Sequence, residues 1–147
     1  MFNKKWNKRF LKLARHISEW SKDPSTKCGA VIIRPDKTIV SSGYNGFGKR
    51  IRDNPKLYKN RKKKYGKIIH AEKNAVIHTH ENLEGCTLFT YPMPPCERCC
   101  NEILEEGIIN FVWSKPSKAL KKRWGKSFKE TKKDIKNAGG KFWEINL

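Results

Sequence analysis

The sequence predicts an α/β fold: a mixed five-stranded sheet with helices on both faces. Three observations carry this expectation. An opening stretch has apolar residues at three-to-four spacing. Two short β-rich runs flank a turn. Helical and strand-like segments then alternate to the end of the chain.

Residues 5–20 place Trp6, Phe10, Leu13, Ala14, Ile17 and Trp20 on one face, which predicts a core-facing helix. Residues 28–34 form a short apolar run, Pro35-Asp36-Lys37 a turn, and residues 38–43 a second β-rich run, together a hairpin. The polar, Gly-, Pro- and Lys-rich stretch 45–67 is too long for a plain connector, so it reads as functional or partly helical. Residues 71–80 have helical character and 86–91 alternate as a strand. Residues 96–106 form a helix opened by the Pro94-Pro95 break and closed by Gly107. A strand at 108–113, a basic amphipathic helix at 126–138 stopped by Gly139-Gly140, and a strand at 141–145 complete the order.

At 147 residues the chain fits one domain, 1–147, and no repeat or Ser/Pro-rich linker divides it. A chain of this length buries roughly two thirds of its unfolded surface, so a metal is needed for chemistry more than for folding. Five cysteines, an odd number with two adjacent, argue against a disulfide framework. No signal peptide is read at the start and no apolar run nears the roughly 20 residues of a membrane span. The expectation is a soluble, cytoplasmic protein with no membrane association. The net charge of +19 is compatible with a polyanionic partner. Its 25 Lys to 8 Arg, spread along the length, equally fit a lysine-rich composition that bears on solubility alone.

The chemistry concentrates in His70-Ala71-Glu72 and Pro95-Cys96-Glu97-Arg98-Cys99. One imidazole and two thiolates suit a single catalytic Zn2+ and leave a fourth position open for water. Cys96 and Cys99, three apart on the first turn of a helix, can face one ion. Glu72 stands close enough to move a proton without having to bind the metal. Cys28, Cys86 and Cys100 read as non-ligands: the first two lie in apolar strand runs, and Cys100 points away from Cys99. His16, His78 and His80 read as solvated.

With these motifs placed, the chain resembles the cytidine/deoxycytidylate deaminase superfamily, and within it the dCMP deaminase family. The resemblance runs from the segment Trp20 to Val31, through Gly43-Tyr44-Asn45-Gly46-Phe47 and Lys64-Tyr65, to His70-Ala71-Glu72-Lys73-Asn74-Ala75. It continues in Gly85-Cys86-Thr87-Leu88 and in Pro95-Cys96-x-x-Cys99 with its following helix. It implies a three-layer α/β/α deaminase fold, zinc on His70, Cys96 and Cys99, and Glu72 as proton shuttle. It further implies a sugar contact from Asn45 and a pyrimidine carbonyl held by the Ala71 amide. Tyr91 is a candidate wall for the base, or equally a core aromatic. Ser25, Thr26 and Lys27 are candidates for a 5′-phosphate, or equally a turn with a solvated lysine. Tyr65 matches a family tyrosine, whereas residues 62–64 read as a solvated charge run. Cys28 stands where the family commonly has Val, and Gly48 where it commonly has Pro. In allosteric members that latter loop helps bind triphosphate effectors such as dCTP and dTTP. Family members are commonly homo-oligomers, often hexamers.

The activity implied is hydrolysis of dCMP to dUMP and ammonia, which supplies thymidylate synthesis. A deaminase of tRNA or single-stranded nucleic acid, or of another free cytosine nucleotide such as dCTP, uses the same chemistry. A non-catalytic zinc module would normally show four protein ligands instead of three and a carboxylate.

Overall fold

The computed structural model describes residues 2–147. Helix α1 (Lys4–Ser18) begins where the Asn3 side chain accepts a hydrogen bond from the Trp6 amide, 3.1 Å. Its buried Phe10, Leu11, Ala14 and Ile17 pack on Val31, Ile33, Phe89 and Val112, one face of a sheet. The sheet contains β1 (Gly29–Ile33), β2 (Ile39–Tyr44), β5 (Thr87–Tyr91), β6 (Asn110–Ser114) and β7 (Lys141–Ile145), in the order β2-β1-β5-β6-β7. The first three strands in that order are antiparallel and the last three parallel, so the sheet is mixed. The alternate residues Ala30, Ile32, Leu88, Phe111 and Trp113 point to the opposite face.

That opposite face is covered by α4 (Ala71–Ile77), α5 (Glu97–Glu105) and α6 (Lys118–Asn137), through Ala71, Ala75, Cys100, Ile103 and Ile135. Three layers result, as the resemblance implies. Residues 45–67 are partly helical: β3 (Gly46–Phe47), α2 (Pro55–Lys59) and α3 (Arg61–Lys67) lie there, and β4 (Ile68–Ile69) pairs with β3. No helix among the described residues is long and apolar enough to cross a membrane.

Three expectations change. Helix α1 ends at Ser18, so Trp20 is not in the core stripe but 53% exposed. Helix α4 stops at Ile77, which leaves His78 and His80 exposed beyond it. Helix α6 begins at Lys118, eight positions before the expected start at Lys126, because the Ser117 hydroxyl caps it by accepting from the Leu120 amide at 3.3 Å. Gly125 lies inside that helix rather than before it.

Candidate active site

Two glycines bring the helices against the sheet. A β-carbon on Gly43 would lie 2.4 Å from the Ala71 carbonyl oxygen and 2.5 Å from the Ala75 nitrogen, so α4 rests directly on β2. A β-carbon on Gly29 would lie 2.0 Å from the Ala14 oxygen, which fixes α1 on β1 in the same way. Because β1 and β5 are antiparallel and pair Gly29 with Tyr91, the start of one strand meets the end of the other. The site opens at this junction.

His70 is the extended residue that caps α4, and Cys96 has the same place before α5. Both helices therefore present their N-termini to one point, where positive dipole ends favour thiolate. His70 Nδ1 lies 3.5 Å from Cys96 Sγ and 3.3 Å from Cys99 Sγ, and a Glu72 carboxylate oxygen lies 4.0 Å from the same nitrogen. The four side chains converge within 4.8 Å, and among the described residues no other group of three or more such side chains does so. Tetrahedral zinc with ordinary bond lengths separates an imidazole nitrogen from a thiolate sulfur by about 3.6 Å, so the donor set fits the ion.

The closeness of these groups shifts their pKa values. Cys96 is brought down to about 4, first by the hydrogen bond from Cys99 and then by His70 against the opposing effect of burial. Cys99, the donor in that bond, is pushed up for the same reason. His70 is pushed up to about 9, mainly by its hydrogen bond with Cys96. Burial raises Glu72 above the usual carboxylate value. Zinc held by these residues would displace the protons on Cys99 and His70, since its ligands must be a thiolate and a neutral imidazole.

Beyond the cluster, Ala71, Asn45, Ser25, Thr26, Tyr65 and Tyr91 all line one cavity with His70, Glu72 and Cys96. Lys27 does not: it is exposed and lies outside the lining. The Asn45 carboxamide is engaged with the protein. Its Oδ1 accepts from the Cys28 amide at 2.8 Å, and its Nδ2 donates to the Thr26 carbonyl at 2.8 Å. Asn45 thereby ties the 23–28 loop to the turn after β2. Cys28 immediately precedes β1, packs against the core and lines the cavity, outside the group of converging donors, as a small hydrophobic non-ligand. Cys100 is fully buried, contacts the Thr131 carbonyl at 3.9 Å and is pushed up to about 12 by burial, which fits a non-ligand.

Sequence reasoning missed four contributors. Lys64 is not part of a solvated run: it is 6% exposed, and its ammonium donates to Asp23 Oδ1 at 2.8 Å. Arg123, Trp124 and Phe128 come from α6 and close one wall of the cavity. The i, i+4 aromatic pair Trp124 and Phe128 was the available signal, masked by the late start assigned to that helix.

Residues 4–115 match the cytidine and deoxycytidylate deaminase zinc-binding region. The chain belongs to this deaminase family. It is 36% identical over 135 residues to an uncharacterized deaminase encoded in the luxG 3′ region of Aliivibrio fischeri, covering 92% of this chain and 90% of that protein. It is 30% identical over 114 residues to the deoxycytidylate deaminase of Pongo abelii, covering 74% of this chain and 64% of that one. A dCMP deaminase from the cyanophage S-TIM5, solved with dCMP and dUMP, superposes with a TM-score of 0.75 at 18% identity. That comparison covers 99% of this chain and all of the phage chain, and shows the shared deaminase fold. One zinc ion is the cofactor of the family's site, and the His, Cys, Cys and Glu group is built for it. Helix α6 lies beyond the residues matched to the family.

Proposed function

We propose that this chain is a dCMP deaminase, acting as one domain over residues 1–147 and converting dCMP and water to dUMP and ammonia. The observation that carries the reading is the buried Glu72 carboxylate, 4.0 Å from His70 Nδ1 and grouped with Cys96 and Cys99. Its support in kinship is the deoxycytidylate deaminase name borne by relatives at 30% identity.

His70, Cys96 and Cys99 would hold the ion, and bound zinc lowers the pKa of water enough to make it a nucleophile near neutral pH. Glu72 removes the proton from the attacking water and delivers it to N3 of the cytosine. It then serves the departing amine in the same way. A C4–O bond forms, the C4–N bond breaks, and ammonia leaves behind a uracil. Burial, which raises Glu72 above the usual carboxylate range, suits a group that must both accept and release a proton. The Ala71 amide is assigned to the pyrimidine carbonyl, and Tyr91 to the wall beside the base. Asn45 Oδ1 keeps a lone pair after bonding the Cys28 amide, available to a sugar hydroxyl. Ser25 and Thr26, on the turn after Asp23-Pro24, are assigned to the 5′-phosphate, with Tyr65 beside them in the cavity wall. The dUMP produced serves thymidylate synthesis, in a cytoplasmic homo-oligomer with dCTP and dTTP as candidate effectors.

A second reading rests on α6, whose eight lysines and Arg123 outnumber two acidic residues, and whose Arg123 lines the cavity. Such a surface suits single-stranded nucleic acid. Ammonia release from dCMP, dCTP, deoxycytidine and cytosine-containing oligonucleotides separates the two. Turnover of free dCMP supports the first reading; turnover confined to oligonucleotides replaces it with the second.

A further inference from the structure

We infer that Lys64 and Arg123 form the receptor for the 5′-phosphate and set the preference for a nucleotide over a nucleoside; this rests on the dCMP reading above. The two residues come from different helices that line one cavity. Lys64 arrives from α3 and Arg123 from α6, and both line the same wall system as Ser25.

Each cation has unused capacity. The Lys64 ammonium has three N–H donors, and its one hydrogen bond among the described residues goes to Asp23 Oδ1. A 6% exposed ammonium on a cavity wall with two donors left over calls for an acceptor in the cavity. The Asp23 carboxylate also accepts from the Ser25 amide at 2.8 Å and from Asn45 Nδ2 at 3.4 Å, so three protein donors engage it.

Arg123 forms no ion pair among the described residues. Its guanidinium instead bridges two neutral hydroxyls at the mouth: Nη1 donates to Ser25 Oγ at 3.3 Å and Nη2 to Tyr65 Oη at 3.2 Å. Both contacts are long, and neutral hydroxyls are weaker partners for a guanidinium than phosphate oxygens. A dianion entering between Ser25 and Lys64 would take over the planar fork of Arg123 and accept from the two remaining N–H donors of Lys64. Lys27, the lysine nearest this loop in sequence, is exposed and outside the cavity and is not part of the receptor.

The test is steady-state kinetics of the zinc-loaded enzyme and its Arg123→Ala, Arg123→Lys and Lys64→Met variants. The readouts are KM and kcat for dCMP, with inhibition constants for dUMP and deoxyuridine. Loss of one charge-assisted bidentate contact should raise KM for dCMP and weaken dUMP by about 10- to 100-fold, with kcat and deoxyuridine inhibition moving by less than about three-fold. Arg123→Lys should recover part of the loss. Since Lys64→Met leaves Asp23 buried without its partner, the Asp23→Asn/Lys64→Met double variant, which removes both charges, gives the same readout if the single variant fails to fold. Arg123→Ala lies on an exposed helix position and folds regardless of that issue. Equal weakening of dUMP and deoxyuridine, or no change in either, overturns the receptor while leaving dCMP deamination intact. Absence of dCMP turnover by the wild-type enzyme overturns the function and the receptor together.

Discussion

The Thr131 hydroxyl, fully buried on α6, donates a 2.9 Å hydrogen bond to the carbonyl oxygen of Pro95, the residue immediately before Cys96. A second bond runs alongside it, from the Glu97 amide to Ser127 Oγ at 3.0 Å. The helix beyond the family-matched residues therefore holds the turn that delivers Cys96 and Cys99. Replacing Thr131 by Val keeps the shape and orphans the Pro95 carbonyl. The expected cost is about 1–3 kcal/mol of stability, read as a lowered melting temperature and accompanied by weaker zinc retention against a chelator. Unchanged stability and zinc retention would mean that the bond contributes nothing.

Glu72→Gln keeps the volume of the side chain and removes its ability to carry a proton. Zinc content measured by atomic absorption should stay near one per chain, while dCMP turnover falls by about 10²- to 10⁴-fold. By contrast, Cys96→Ala and Cys99→Ala should lose both metal and turnover, and Cys100→Ala should keep the metal and lose stability alone.

Gly43→Ala introduces a carbon where the backbone of α4 already lies 2.4 Å away. The helix must move outward, carrying His70, Ala71 and Glu72 with it. A stability loss of about 1–3 kcal/mol is expected from overpacking, together with a drop in kcat larger than at surface glycines such as Gly66. The comparison variant Gly66→Ala, whose new carbon meets nothing within 4 Å, controls for backbone effects.

The acid limb of stability has an identifiable contributor in Glu144. Burial raises this carboxyl, but the Trp113 indole N–H bond at 3.1 Å and the Lys132 ammonium at 3.5 Å outweigh it and hold the group below its ordinary 4.5. A depressed folded-state value stabilises the protein above the unfolded value, and that stability is lost as pH falls through the folded one. Glu144→Gln should therefore lower stability at neutral pH and flatten the decline below about pH 4.5, measured by denaturant unfolding at several pH values. An unchanged acid limb in the variant would remove Glu144 as its source.

What the sequence made legible follows from how local the signal was. The spacing of His70, Glu72, Cys96 and Cys99 is set by two helix starts, each with its own local marker, so the cluster could be read in advance. The neighbours Val31 and Ile32, and Leu88 and Phe89, face opposite sides of a sheet covered on both, so all four are apolar and the sequence could not say which face each takes. Lys64 could not be read, because nothing in Lys62-Lys63-Lys64 says which lysine faces inward. Only its long-range partner Asp23, 41 residues away, decides that. Arg123 reaches Ser25 across 98 residues of sequence and lies on a helix whose start at Ser117 was hidden by Gly125. Trp20 read as core because the helical spacing was extrapolated past Ser18, where the helix ends.

The central claim is that zinc at His70, Cys96 and Cys99 and the Glu72 carboxylate together deaminate dCMP. The most direct measurement is dUMP and ammonia formation from dCMP, followed while zinc is titrated into chelator-stripped protein. The account predicts turnover that rises in proportion to zinc, saturates at one ion per chain and is absent in Glu72→Ala at the same zinc content. Turnover that is independent of zinc, or a fully zinc-loaded wild-type protein that leaves dCMP unchanged, would contradict it.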